Sequence, residues 1–238
     1  SNLQDIADIQ RCMTQVAERR MDAIAVLDIP KDKQETAEAV AYRVGDLNLD
    51  SSYAAIYSPD LLIRDKFNDM DLWLPPSGFA AAIMALTDEY AEVWFAPAGM
   101  ERGKLNVSEA RFTYNQGHRD ALTDAQINAV RFFPNGAGYR IWGADTMQVM
   151  QSALSNVSVR RLMNVLEKAI NTANVYSVFD PNDDILRSRV RSRVEQYLQP
   201  IQNAGGLYWF TVICDETNNP PAVTANGDLV LTAYFDPV

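Results

Sequence analysis

The 238 residues carry 31 acidic against 21 basic side chains, a net charge of −10, and 47% of them are hydrophobic. A surface of that sign repels nucleic acid and anionic lipid, so neither is expected as a partner. The apolar fraction supports the core of one large domain or two small ones, and the longest apolar run, Phe79–Leu86, is too short to cross a membrane. Residues 1–20 mix charges along an amphipathic pattern and are not expected to act as a signal peptide. The chain begins at Ser1 rather than methionine, which suggests trimming or processing. Cys12 and Cys214 match no metal spacing and are expected to be reduced and buried.

In chain order, Leu3, Ile6, Ile9, Met13 and Val16 recur at helical spacing and predict a helix over residues 3–20. Ala23–Ile29 reads as a buried strand ended by Pro30. Residues 32–44 return to helical character with Ala37, Val40, Ala41 and Val44 on one face, and Tyr53–Tyr57 reads as a second strand stopped by Pro59. Helix, strand, helix, strand implies a partly parallel layer with helices packed on it. Pro75–Gly78 (PPSG) opens a helix through Phe79–Leu86, and Trp94–Gly99 (WFAPAG) is a short extended piece and a turn. A loop and a helix around Leu122–Val130 lead to two strands, Ala129–Phe133 and Tyr139–Trp142, joined by the turn-forming run PNGAG.

Two helices follow. Ser158 is expected to cap the first, which buries Val159, Leu162, Met163, Leu166 and Ile170. Asp180-Pro181-Asn182-Asp183 is expected to open the second, with Leu186, Val190, Val194, Tyr197 and Ile201 as its stripe and Gly205-Gly206 as its end. The last two apolar runs, Leu207–Cys214 and Leu229–Phe235, flank a polar loop with Asn218, Asn219, Pro220, Pro221 and Gly227 and read as paired strands. Leu207–Cys214 is apolar on both faces, so helices 159–172 and 183–201 are expected to cover it on both sides.

Seven segments in this order carry a family resemblance. They are SYAAIYSP (Ser52–Pro59), PPSG (Pro75–Gly78), WFAPAG (Trp94–Gly99), Leu122–Met147, NVSVRRL (Asn156–Leu162), FDPND (Phe179–Asp183) and the terminal strand pair. Together they resemble the contractile phage tail sheath proteins. The resemblance implies an α+β chain, a mixed α/β fold. A partly parallel sheet layer with helices spans residues 22–150. It is inserted into a second unit, residues 1–21 and 151–238, of helices packed on the strand pair. It also implies a structural subunit of a contractile tail that polymerises around an inner tail tube and contracts to drive that tube through the host envelope. Such a subunit is assembled in the host cytoplasm and located in the virion. Neighbouring sheath subunits and the tube protein would be its partners. The sheath of a related device, a bacteriocin or a secretion apparatus, is the alternative, and a cytoplasmic α/β enzyme is a more distant one. The sequence departs from the family at Asp60, where an aromatic is usual. It also lacks the terminal extensions that add strands to neighbouring subunits, so the resemblance implies a monomeric core without its linking arms.

The residues themselves offer little chemistry. His118 is the only histidine, in YNQGHRD, with no nucleophile elbow nearby; it reads as a solvated loop residue. Asp180, Asn182 and Asp184 imitate the start of a calcium loop, but Ile185 and Arg191 stand where glycine and glutamate are needed. Gly136, Gly138 and Gly143 lack phosphate-binding spacing. No catalytic residue, metal or cofactor is therefore expected. The candidate contacts are instead Arg187, Arg189, Arg191 and Arg193, two on each flank of a helix stripe, with Arg160 and Arg161. To these are added Leu229, Leu231, Ala233 and Phe235 of the last strand, whose free side can template another chain.

Overall fold

The computed structural model describes residues 3–134 and 136–238 and forms two compact units that divide between Asn164 and Val165. The mixed helix and sheet composition agrees with the α+β expectation. In the first unit, α1 (Leu3–Arg20), β1 (Ala25–Asp28) and α2 (Thr36–Ala41) are followed by a π-helical segment, Tyr42–Leu47, and then β2 (Ala54–Ser58). Residues 1–21 were expected to join the C-terminal unit. Instead α1 packs on the π-helical segment and on β1.

Further along run β3 (Leu61–Asp65), β4 (Met70–Leu74), α3 (Ser77–Tyr90), α4 (Gly99–Arg102), β5 (Glu109–Ala110) and α5 (Gln116–Asp124). They are followed by β6 (Ile127–Phe133), β7 (Gly138–Ile141) and α6 (Val157–Asn174), within which the division between the units falls. The main sheet has the order β1–β2–β6–β7, with β1, β2 and β6 parallel and β7 antiparallel. Alternation along β2 feeds both faces. Ala54 and Ile56 join Leu27, Ala39 and Leu122 on one side, while Ala55 and Tyr57 join Ile83, Met84 and Val130 on the other. β2 is buried at every position, as a central parallel strand must be. A second sheet, β4–β3–β5, is antiparallel.

Several expectations are corrected. The stripe Ile9, Met13 and Val16 of α1 is exposed, and Ala7, Gln10, Thr14 and Ala17 face inward. The small residues allow close approach, and Gln10 bridges two elements. Its Nε2 donates to the Asp28 carbonyl (2.7 Å), and its Oε1 accepts from the Tyr42 hydroxyl (2.9 Å), which burial pushes up to about 12. Cys12 lies on the same outward side and is exposed; only Cys214 is buried. Residues 32–44 bury Ala39, Tyr42 and Arg43, whereas Val44 is exposed. Ala37 and Ala41 of the expected stripe are exposed as well, so the inward side is that of Ala39, Tyr42 and Arg43.

The helix expected around 122–130 ends at Asp124, and Gln126 turns the chain at φ 55° into β6. Asn135 of the β6–β7 turn lies outside the described residues. Asn156, not Ser158, caps α6: its Oδ1 accepts from the Ser158 amide (3.0 Å) and hydroxyl (2.8 Å).

Beyond β7 the chain is held by a side chain acting as a strand. Asn128 Oδ1 accepts from the Asp145 amide (2.8 Å), and its Nδ2 donates to the Asp145 carbonyl (2.8 Å). Gly143 is required here, because a Cβ at that position would stand 2.7 Å from Asn128 Oδ1.

In the second unit, α7 (Asp184–Asn203) precedes β8 (Leu207–Ile213), a short helix α8 (Pro221–Ala225) and β9 (Thr232–Pro237). The cap of α7 is Asp183, whose Oδ1 accepts from the Leu186 amide (2.7 Å). Asp180 and Pro181, expected to open the helix, lie before it. Leu186, Val190, Val194 and Leu198 are buried, and Tyr197 is 37% exposed. Gly205, at φ 82°, follows the end of α7.

Candidate assembly edge

β8 and β9 form an antiparallel sheet of two strands, so among the described residues each has a side without a ladder partner. The register pairs Phe210 with Phe235 and Val212 with Ala233, and on the alternate positions Trp209 with Asp236, Thr211 with Tyr234 and Ile213 with Thr232. A bulge at Tyr208 interrupts the register at one end, and the Tyr208 carbonyl is already taken by Gln202 Nε2 (3.0 Å).

α7 covers one face only. Val212 and Cys214 are buried, and Cys214 packs with Leu186 and Val190. Burial pushes the Cys214 thiol up, with Arg187 opposing. On the other face Trp209 is 52% and Tyr234 55% exposed. The expectation that helices cover β8 on both sides is thus corrected.

The residues proposed from sequence fall into different environments. Leu229 and Leu231 precede β9 and pack against Leu186, Val190 and Cys214. Ala233 and Phe235 lie on β9, half-buried on the α7 side. These two contribute backbone to an edge but little exposed side chain. Trp209 and Tyr234, which sequence reasoning did not single out, are exposed aromatics of this sheet, as is Tyr208 at the bulge. The period-2 alternation around them was the signal that could have found them.

The arginines separate in the same way. Arg187 is buried, with Nη1 on Asn182 Oδ1 (2.9 Å) and Nη2 paired with Asp184. Arg193 donates to the Ala173 carbonyl (2.8 Å) and to Ser177 Oγ (3.4 Å). Arg160 is buried, with Nε on Asn164 Oδ1 (3.0 Å) and its guanidinium 4.3 Å from the Tyr53 ring centre. Arg161 pairs with Asp88. Arg189 and Arg191 stand out from α7. Arg189 is 3.9 Å from Asp180, and Arg191 bonds Glu195 (2.8 Å), which raises its pKa. Pairs this exposed contribute little to stability.

His118 sits in the first turn of α5, not in a loop. It is exposed, and its amide donates to Asn115 Oδ1 (2.9 Å). Among the described residues no group of three His, Cys, Asp or Glu side chains is placed to hold a metal, and no helix is long and apolar enough to cross a membrane.

Among the described residues, a two-stranded sheet with one uncovered face, backed by one helix, sets this unit apart from the enclosed sheet of the first. Known proteins give that arrangement a family. The profile of the phage tail sheath protein central domain matches residues 7–147, and that of the phage tail sheath C-terminal domain matches residues 150–238. The chain belongs to the phage tail sheath protein family. It is 39% identical over 195 residues to the tail sheath protein of Vibrio phage KVP40, covering 82% of this chain and 29% of that protein. It is 31% identical over 252 residues to the tail sheath protein of Enterobacteria phage T4, covering 99% of this chain and 38% of that one. The chain thus spans well under half the length of these relatives.

Among solved structures, the sheath complex of the extracellular contractile injection system PVC in its contracted state matches with a TM-score of 0.77 at 26% identity. The match covers 90% of this chain and 60% of that one. The contracted helical sheath of the anti-feeding prophage shares the fold, with a TM-score of 0.80 at 22% identity over 98% of this chain and 62% of that one.

Proposed function

We propose that this chain is part of a contractile tail sheath subunit, which polymerises with its copies around an inner tail tube in the virion. Head-to-tail contacts that do not close generate such open helical polymers. Contraction is then a change of packing between nearly rigid subunits, with the free energy held in the interfaces, because both packings share one fold. The observation that carries the reading is the β8–β9 sheet with its open side on β9. A strand from a neighbouring subunit adds there through main-chain hydrogen bonds, which tether copies while other contacts are rebuilt. Trp209 and Tyr234 flank that addition on the uncovered face. Arg189 and Arg191 are the arginines of α7 placed to meet acidic surface on a neighbour or on the tube.

The reading assigns the chain no catalytic step, no cofactor and no nucleic-acid or membrane contact. It places assembly in the host cytoplasm and makes the 238-residue chain alone a monomer, kept apart by repulsion at charge −10. A phage tail is favoured over a related injection device, because the relatives above 30% identity are phage proteins.

The test is a proline scan of Thr232–Asp236, since proline removes a ladder donor and is tolerated only where that donor is unpaired. Each variant is checked for folding by circular dichroism and then placed in the complete sheath protein. At least one position leaves the fold intact and abolishes tube formation. Normal tubes from every folded variant would show that β9 is not the docking edge.

A further inference from the structure

The segment that delivers the chain into β9 is held by side-chain amides where a backbone ladder is missing. Asn219, 3% exposed, accepts at Oδ1 from the Val230 amide (2.8 Å) and donates from Nδ2 to the Val230 carbonyl (2.8 Å). That is the two-point pattern by which one strand residue holds its opposite number. Its Nδ2 also reaches the Asp215 carbonyl (3.2 Å), just past the end of β8. Asn218 works one step along, donating to the Ile213 carbonyl (2.7 Å) and to Thr232 Oγ1 (3.3 Å) at the first residue of β9. Asn182 closes the arrangement from the α7 side. Its Nδ2 donates to the Asp228 carbonyl (2.6 Å) and to Asn219 Oδ1 (3.3 Å), while its own Oδ1 accepts from buried Arg187. Residues 228–232 are therefore tied both to the end of β8 and to the start of α7.

We infer that Asn219 is a positioning residue for sheath assembly, the centre of an amide clamp that sets where and at what angle β9 presents its open side. The inference rests on the strand-addition reading above. A two-stranded ribbon on its own is marginal in water, and its outer strand frays first. A docked neighbour loads β9 from its open side, where the β8 ladder and the apolar contacts of Leu229 and Leu231 resist. The clamp passes that load to α7 through Asn182 and Arg187. It also accounts for the buried arginine, whose guanidinium orients Asn182 rather than meeting a partner.

The experiment compares Asn219→Ala and Asn219→Asp, the second of which keeps an acceptor for the Val230 amide and loses the donations to Val230 and Asp215. Hydrogen exchange on the 238-residue chain reads the clamp. Amides of residues 228–236 lose at least about tenfold in protection, the loss of one buried bond or more, while α7 keeps its own. In the complete sheath protein both variants raise the concentration needed for tube formation, again by about tenfold or more. Val194→Ala, matched to them in lost melting temperature, leaves that threshold unmoved and so separates positioning from stability. Unchanged protection in 228–236, an unchanged assembly threshold, or loss of α7 protection together with β9 would each overturn the inference. If the proline variants of β9 block tubes and the Asn219 variants do not, the clamp fails and the strand-addition reading stands. If neither set blocks tubes, the reading itself has failed.

Discussion

The two units solve the burial of a sheet in opposite ways. In the first, β2 lies between β1 and β6 with helices against both faces, so its backbone donors and its side chains are all satisfied within the chain. In the second, β8 has one strand beside it and one helix on one face, and the aromatic side chains of Tyr208, Trp209 and Tyr234 remain exposed. The difference separates a sheet that folding encloses on both faces from one that keeps an uncovered face, the one to which the proposed assembly role falls. Both units nonetheless use the same local device. Asn128 holds Asp145, and Asn219 holds Val230, each by two bonds of 2.8 Å to one residue's amide and carbonyl. In the first unit the device secures a chain leaving a complete sheet. In the second it secures a chain entering an incomplete one.

The largest effect that sharpens this contrast comes from Ile56→Ala. Ile56 is fully buried in the central strand, and truncation there costs about 3–5 kcal/mol, the upper range for a core that cannot collapse around the cavity. Thermal unfolding of the first unit moves down accordingly. A loss near 1 kcal/mol would mean that this sheet tolerates cavities and is less completely packed than its burial implies.

Leu198→Ala is next. Leu198 is also fully buried, but on a helix backing a two-stranded ribbon, and a site with one open face relaxes more easily; about 2 kcal/mol is expected. The loss appears as faster hydrogen exchange in α7, β8 and β9. If it equals that of Ile56→Ala, the second unit is as tightly packed as the first and the contrast between them fails.

What the sequence revealed follows the same division. Strands bounded by strong punctuation were legible: Ala54–Ser58 before Pro59, and β6 and β7 around a glycine-rich turn. So was the α7 stripe through Leu186, Val190 and Val194. Helix faces chosen by hydrophobicity alone were not. In α1 the apolar Ile9, Met13 and Val16 lost the inward side to Ala7, Gln10, Thr14 and Ala17, because small side chains and a paired glutamine fit closer to β1 and Tyr42 than branched ones do. β3 and β4 went unread because Arg64, Asp69 and Asp71, which pair across the hairpin, break the apolar pattern of two short strands. Asn128 and Asn219 left no local signal at all. Each is a polar residue whose partner lies 17 or 11 positions away, and only the folded chain shows that it stands in for a strand.

The smallest expected effect tests whether the clamp in the first unit is as free of cost as the one in the second. Val230 brings no charge to Asn219, but Asp145 brings a carboxyl to Asn128, and burial raises the pKa of that carboxyl. A carboxyl with a folded-state pKa above its unfolded value near 3.9 favours the folded chain fully only below that value. The contribution is lost as pH rises through the raised pKa, and at neutral pH the ionised group opposes folding. Asp145→Asn keeps the backbone bonds to Asn128 and removes the charge. The variant melts above the parent at pH 7 by roughly 1–3 °C, as suits a partly exposed group in a domain of this size, and the difference closes below about pH 4. Melting curves of both proteins across that range decide it. A gap that stays constant with pH would assign the gain to packing. A variant that melts lower at pH 7 would mean that the carboxylate contributes to holding the clamp closed.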